Sequence, residues 1–199
     1  MAYILNIETA TKNCSVAIAQ DGKTLLCKQI AESGYSHAEK LHVFIEELLL
    51  ELHLHYKDLN AIAVSQGPGS YTGLRIGISA AKGLCYALDI PLIAVDTLEI
   101  LARQLQVSDG YIVPMIDARR MEVYSAIFDA KYQKVRETQA EIITEDSFAT
   151  LEGTVCFIGD STEKCATTLT KSNFIFKDNI VYPSANEMSY LSDEKYKKN

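Results

Sequence analysis

The sequence lacks the features that would assign the chain to a membrane or secreted class. No apolar stretch approaches the roughly 20 residues that a membrane-spanning helix needs, because glutamates and histidines interrupt even VFIEELLLELHLH. The first residues, MAYILNIETATK, contain neither the basic region nor the cleavage site of a secretory signal. We therefore expect a cytoplasmic protein without a membrane anchor.

Disulfide motifs and a basic face are also absent. The five cysteines form no CxxC pair, and their odd number argues against a disulfide framework or a zinc ribbon. We therefore predict buried free thiols. The 26 Asp and Glu residues outnumber the 19 Lys and Arg residues, which gives a formal net charge of −7. Because nucleic acids bind basic surfaces, we expect contact with RNA only through partner proteins.

The sequence does contain a repeated order of strands and helices. With 199 residues, 48% of them hydrophobic, the chain can bury one large or two small cores. In the first half, the patterns predict strands over 3–9, 14–20 and 24–30, a helix over 36–54, a strand over 61–64, a helix over 72–88, a strand over 91–95 and a helix to about 106. The second half predicts the same order, with a helix from Thr144, a strand near Ile180 and a last helix.

This repetition predicts an α/β fold of two tandem lobes. Each lobe has the order βββαβαβα, in which an antiparallel meander and parallel βαβ units form one mixed sheet. We expect the first lobe over residues 1–107 and a smaller second lobe over 108–199. The duplicated order is the plan of the actin-like ATPases, and half of it is the plan of ribonuclease H.

One glycine-rich stretch, SQGPGSYTGLRIGIS at 65–79, raises the question of a phosphate-binding loop. A Walker motif needs a lysine after its last glycine, but Leu74 follows Gly73 here. The spacing GxGxxxG also differs from the dinucleotide fingerprint. Gly73, Gly77 and Ala81 instead recur at four-residue steps, which would let another backbone approach one face of a helix.

The helix over 36–54 is apolar on more than one face. Such a helix is either wholly buried or covered by another chain. Together with the small residues of the next helix, this pattern favours a protein–protein interface, with an internal core as the alternative. The predicted interface residues are Leu41, Phe44, Ile45, Leu48, Tyr71, Thr72, Leu74, Arg75, Gly77, Ile78 and Ala81.

A nucleotide cleft is a second candidate site, because the first hairpin of each lobe contacts the phosphates in actin-like proteins. Glu8 and Thr9 occupy that position in the first lobe, and Asp117 and Arg119 occupy it in the second. Neither ETATKNCS nor DARRMEVY has the glycine that allows close approach to a phosphate. We expect a degenerate cleft with no cofactor and no metal, although Arg119 could still bind an anion.

Three stretches of the sequence resemble the bacterial TsaB (YeaZ) family, a partner in making threonylcarbamoyladenosine in transfer RNA. They are ILNIETATKNCSVAI, SQGPGSYTGLRIGISAAKGLCYALDIPLIAVDTLE and PMIDARRMEVYSAIF. The resemblance covers the first lobe almost from end to end and continues through Asp129. Beyond that residue it rests on the shorter stretches FIGDS and YPSANEM.

The resemblance implies a non-catalytic paralogue of the transferase TsaD. That enzyme binds a metal through the two histidines of an NHLEGH motif, whereas Thr97 and Leu101 stand in their places here. The family pattern further implies that the helices over 36–54 and 72–88 pair with those of TsaD in a four-helix bundle. We also expect that the ATPase TsaE binds the heterodimer, that the chain alone forms a homodimer, and that tRNA is bound only through the complex.

The end of the sequence differs from the family pattern, and two other functions are alternatives to the one implied by the resemblance. The chain stops at DEKYKKN, without the YLR-like end of the family, which suggests a second lobe truncated at its C-terminus. An autonomous actin-like kinase or ATPase would use Glu8 and Asp117. A ribonuclease H-like nuclease would need converging carboxylates, and Ser65 and Gln66 stand where the central strand should supply one.

Overall fold

The protein is described by a computed structural model that covers residues 2–31 and 37–198. The chain divides into two compact units, each built around one five-stranded mixed sheet. The predicted α/β fold with two repeated mixed sheets is therefore confirmed. Ser36, where we predicted that the first long helix begins, lies outside the described residues.

The sheet of the first unit combines an antiparallel meander with parallel strands. Its members are β1 (Tyr3–Glu8), β2 (Cys14–Gln20), β3 (Lys23–Ile30), β4 (Ala61–Ser65) and β5 (Leu92–Val95), in the order β3-β2-β1-β4-β5. β4 pairs parallel with β1, and Ile7 lies opposite Val64. Because the carboxyl ends of parallel strands meet at one edge, the next residues, Glu8 and Ser65, are neighbours there.

Different helices cover the two faces of this sheet. On one face, Leu5 and Ile62 pack with α1 (His37–Glu51) and α2 (Tyr71–Leu88). On the other face, Ile4 and Ala61 pack with α5 (Ala185–Tyr196). This alternation follows from the period of two along a strand, which points successive side chains to opposite faces.

The last helix corrects the predicted division of the chain at 107/108. The first unit comprises Met1–Ile100 together with Pro183–Asn199, and the second comprises Leu101–Tyr182. Met188 and Leu191 of α5 lie in the core of the first sheet. The start of α5 is fixed to the same sheet, since the Ala185 amide donates to Ser15 Oγ at 2.9 Å.

The second unit repeats the sheet plan around an aromatic core. Its strands are β6 (Tyr111–Asp117), β7 (Glu122–Asp129), β8 (Lys134–Ile142), β9 (Val155–Ile158) and β10 (Phe174–Phe176), in the order β10-β9-β6-β7-β8. Among the described residues, the remaining α-helices are α3 (Thr97–Ala102), which begins in the first unit, and α4 (Thr162–Ala166) of the second, and a short 3₁₀ helix covers Tyr56–Asp58. The ring of Phe157 lies between 5.1 and 5.3 Å from those of Phe148, Phe174 and Phe176.

Two predicted elements of the second unit are wrong. No helix begins at Thr144; residues 145–150 form turns, and Phe148 has a φ of 61°, which a helix cannot accommodate. The strand predicted near Ile180 lies earlier, at Phe174–Phe176.

The cysteines are free, as predicted, and four of them are buried, whereas Cys27 is partly exposed. Burial raises the pKa of the Cys14 and Cys165 thiols to about 11, so both stay protonated near neutral pH. Among the described residues, no helix combines the length and the apolar character needed to cross a membrane.

Candidate functional site

The glycine-rich stretch packs against the turn between β1 and β2. A Cβ atom on Gly69 would collide with the Ala10 carbonyl, and a Cβ on Gly73 would collide with the Thr9 carbonyl. The Ser70 amide donates to Ala10 O at 2.6 Å, and Thr9 Oγ1 donates to Gly73 O at 2.8 Å. These glycines therefore allow the turn to approach the start of α2 inside one unit.

The same packing corrects part of the predicted partner interface. Gly77 is buried against Thr9 and Ile7 of the same chain, and Ala81 is also buried. Leu41, Ile45 and Leu48 have no exposed surface and belong to the core of the first unit. These five residues cannot contact another chain in this structure.

Other predicted interface residues do lie at the surface. Tyr71, Thr72 and Arg75 are exposed at the start of α2, and the Arg75 guanidinium lies 4.0 Å from the centre of the Tyr71 ring. Phe44, Leu74 and Ile78 are half-buried.

The exposed side of α2 carries a second series of small residues that the sequence analysis missed. Ser79, Gly83 and Ala87 are exposed and also recur at four-residue steps. Apart from its chain neighbours and the backbone of its own helix, no atom of residues 2–31 and 37–198 lies within 4 Å of a Cβ placed on Gly83. Tyr86, beside them, is 92% exposed. The signal was in the sequence, but a four-residue step alone does not say which side of a helix faces outward.

α1 adds exposed apolar side chains on the same face of the sheet. Leu50 is 76% exposed and Val43 is 43% exposed. We call the following subset of the exposed residues of both helices the outward helix surface: Val43, Leu50, Tyr71, Thr72, Arg75, Ser79, Gly83, Tyr86 and Ala87. A groove of about 780 Å³ lies beside Leu50, between the end of α1 and the end of α2. Its lining residues are Glu46, Leu49, Leu50, His53, Leu54, His55, Tyr56, Lys57 and Leu88.

Glu8, the acidic residue of the first predicted phosphate turn, is completely buried. Its Oε1 accepts a 2.6 Å hydrogen bond from the Ala10 amide, and its Oε2 has no hydrogen bond of normal geometry within the described part of the chain, although the Ser65 side chain is close enough to lower the pKa of the carboxyl. Desolvation by burial raises the pKa of this carboxyl to about 7, against the opposing effect of the Ala10 hydrogen bond. Thr9 is buried as well, so neither residue presents a polar atom at the surface.

Asp117, its counterpart in the second unit, has the opposite environment. The residue is exposed, and Lys164 Nζ binds its Oδ1. Partial burial would raise the pKa of Asp117, but the hydrogen bonds from Lys164 and the Arg119 amide, with the charges of both residues, outweigh it and lower the pKa. Arg119 is exposed.

Thr97 and Leu101, which we predicted to stand in place of the paralogue's histidines, are both buried. Thr97 Oγ1 accepts a 3.1 Å hydrogen bond from the Gly67 amide. Leu101 is fully buried. Over residues 2–31 and 37–198, the structure brings together no group of three or more His, Cys, Asp or Glu side chains that could hold a metal ion.

Comparison with known proteins shows which family the chain resembles. The TsaD family model, described as tRNA N6-adenosine threonylcarbamoyltransferase, matches residues 31–192. The TsaB protein of Escherichia coli is 30% identical over 194 residues, which cover 93% of this chain and 83% of that protein. The TsaB protein of Bacillus subtilis is 38% identical over 128 residues, which cover 64% of this chain and only 56% of that protein.

A solved structure agrees with these matches. YeaZ from Pseudomonas aeruginosa superposes with a TM-score of 0.88 at 24% identity, over 100% of this chain and 94% of that one. The fold thus defines an α/β protein of the actin-like and ribonuclease H-like class, with two mixed five-stranded sheets. Within that class, the chain belongs to the TsaB (YeaZ) family of tRNA threonylcarbamoyladenosine biosynthesis proteins.

Proposed function

We propose that this chain is a cytoplasmic, non-catalytic subunit that binds a TsaD-like paralogue and supports threonylcarbamoyl transfer to adenosine 37 of tRNA. The contact is made by the outward helix surface. The observation that carries this proposal is Gly83, an exposed glycine inside the 18-residue helix α2, whose Cβ position no other described element of the chain approaches within 4 Å. Glycine inside a helix costs about 0.5–1 kcal/mol relative to alanine, and no intramolecular contact requires it here.

A partner helix that packs closely across α2 would need a residue with a small side chain at the crossing point. Small side chains let two helix axes approach closely, and Ser79, Gly83 and Ala87 offer this along three turns of α2. The neighbouring Tyr86 and Leu50 are largely exposed. Tyrosine is among the residues that most often contribute the binding energy at protein interfaces, and the exposed Leu50 adds apolar area beside it.

The residues in place of the metal ligands support a non-catalytic role. The Thr97 hydroxyl already accepts a backbone hydrogen bond, and Leu101 has no donor atom to offer a metal. In this proposal, the TsaD-like paralogue supplies the metal and the chemistry, and this chain supplies a surface.

Calorimetry with the TsaD-like paralogue of the same organism tests the interface. Gly83→Trp fills the proposed crossing point and should weaken association by at least about tenfold. Gln139→Trp places the same side chain at an exposed position of β8 and should leave the affinity unchanged. Thermal melting checks that both variants fold. Equal affinities for the wild type and Gly83→Trp would reject the interface.

Mass measurement and activity then test the assembly. We expect a homodimer of the chain alone, a heterodimer with the paralogue, and a larger complex when a TsaE-like ATPase is added. Threonylcarbamoyl transfer by the paralogue should require the chain and should fall with Gly83→Trp but not with Gln139→Trp. Transfer at the full rate without this chain would refute the supporting role.

An autonomous kinase or ATPase is the alternative from another class. The carboxyl of Glu8 has no exposed surface, so a nucleotide or its magnesium ion would reach it only after the turn and α2 separate. Calorimetry of the isolated chain with ATP and magnesium separates the two functions. A saturable heat of binding that Glu8→Gln abolishes would favour the ATPase.

A further inference from the structure

The turn between β6 and β7 has an unfavourable backbone conformation. Four residues, 118–121, connect the two strands, and Arg119 and Arg120 among them have φ values of 75° and 50°. In that region the Cβ atom of an L-residue crowds the following carbonyl oxygen, which destabilises the folded chain. Glycine or asparagine would adopt the same turn with less strain. Two arginines are therefore held here at a measurable expense of stability.

Polar contacts from neighbouring elements hold the turn in this conformation. Lys164 Nζ donates to the Arg120 and Glu122 carbonyls, both at 2.9 Å, and binds Asp117. Asp117 Oδ1 accepts from the Arg119 amide at 2.9 Å. The backbone of the turn is thus fixed while its side chains remain at the surface.

Arg119 and Arg120 differ from the other arginines of the chain. Arg75 lies over the Tyr71 ring at 4.0 Å, Arg103 lies over the Tyr132 ring at 4.5 Å, and Arg136 pairs with Glu141 at 2.5 Å. The side chains of Arg119 and Arg120 are exposed and, across the part of the chain that the structure describes, form no hydrogen bond or ion pair, and only the charge of Arg119 acts on a neighbour, Asp117, whose pKa it helps to lower. Lys164 binds the nearby Asp117 carboxylate, so this acid is already paired.

We propose that the Arg119–Arg120 turn binds phosphate groups of the tRNA backbone when the chain is part of its complex. This inference rests on the proposed function, which brings tRNA to the complex. Guanidinium groups bind phosphates through paired hydrogen bonds. An exposed hairpin tip suits an extended polyanion rather than a small molecule that needs an enclosing pocket. With a chain net charge of −7, two arginines provide a local contact and not a general affinity for RNA.

Fluorescence anisotropy with an unmodified tRNA transcript tests the inference. The wild type and Arg119→Gln/Arg120→Gln are compared in complex with the TsaD-like paralogue and also as the isolated chain at low salt. The double variant should bind tRNA about tenfold more weakly, and the slope of log K against log salt should become shallower by about one to two units. Lys131→Gln, an exposed cation in the same unit, is the matched control and should change neither quantity.

Any result other than weaker tRNA binding with a shallower salt dependence would overturn the inference. Unchanged affinity and slope in the double variant would exclude a phosphate contact, and so would a wild type that binds no tRNA in either arm. Weaker association with the paralogue at unchanged RNA affinity would assign the turn to a protein contact. Binding of inorganic phosphate without any effect on tRNA would indicate a small-anion site. Since Gly83→Trp tests association separately, a failed interface and a failed RNA contact are distinguishable.

Discussion

The two hairpin turns that begin the two sheets have the same place in the fold and opposite environments. The β1–β2 turn is buried under the start of α2, and its acid, Glu8, has a pKa raised to about 7. The β6–β7 turn is exposed, and its acid, Asp117, has a lowered pKa because Lys164 binds it. Repeated topology thus fixes where a turn lies but not whether it serves packing or contact with another molecule.

The largest effect should come from filling the space between the first turn and α2. Gly73→Ala places a methyl group against the Thr9 carbonyl, and neither backbone can move without disturbing the sheet. We expect the free energy of unfolding to fall by about 3 kcal/mol or more, as in severe overpacking. Unfolding in urea measures this change in the free energy of unfolding. A loss below about 1 kcal/mol would show that this packing is loose.

The buried acid of the first turn gives the next largest effect, and it depends on pH. The folded-state pKa of Glu8 is raised from its ordinary value of 4.5 to about 7, so the folded state keeps the proton to a higher pH than the unfolded state does. The free energy of unfolding therefore falls as the pH rises from about 4.5 to about 7. Glu8→Gln removes the penalty. It should be more stable than the wild type by up to about 3 kcal/mol at pH 8, and similar to it below pH 4.5.

The exposed acid provides the control for that measurement. Since Asp117 has a lowered pKa, its ionised form stabilises the fold, and this contribution is lost as the pH falls through the folded-state pKa. Asp117→Asn should therefore be slightly less stable than the wild type near neutral pH, by about 0–1 kcal/mol for a surface pair. The same sign of change for both variants at pH 8 would contradict the contrast between the turns.

Relief of strain in the second turn should produce a gain of moderate size. Arg120→Gly removes the Cβ atom at a φ of 50° and should raise the free energy of unfolding by about 1 kcal/mol. Thermal unfolding at constant pH measures the change. The control is Lys131→Gly, at an exposed position without a positive φ, where no gain is expected. A loss of stability in Arg120→Gly would show that the turn is not strained.

A small effect, opposite in sign to that of Gly73→Ala, should come from the outer side of α2. Gly83→Ala adds a methyl group in open space and should stabilise the helix by about 0.5–1 kcal/mol, in contrast to Gly73→Ala on the inner side. Chemical unfolding of the two variants in parallel gives the comparison. Destabilisation by Gly83→Ala would mean that this side of α2 is covered within the isolated protein.

The sequence predicts the sheets well because strand periodicity and turn residues are local signals. It predicts the helix faces less well, since Gly73, Gly77 and Ala81 and the series Ser79, Gly83 and Ala87 have the same spacing. Only the packed turn shows that the first series faces inward. The pKa of Glu8 and the conformation of Arg119 also depend on residues distant in sequence, so no local pattern reveals them.

The contact of α5 with the first sheet has a consequence for synthesis on the ribosome. Met188 and Leu191 complete a core that includes Ile4 and Ile93, so the first unit cannot close until residues 185–191 have been synthesised. Residues 101–182 form one continuous unit and are free to fold earlier. The part of the chain made first is therefore the part finished last, and its apolar sheet face is exposed to chaperones during this interval.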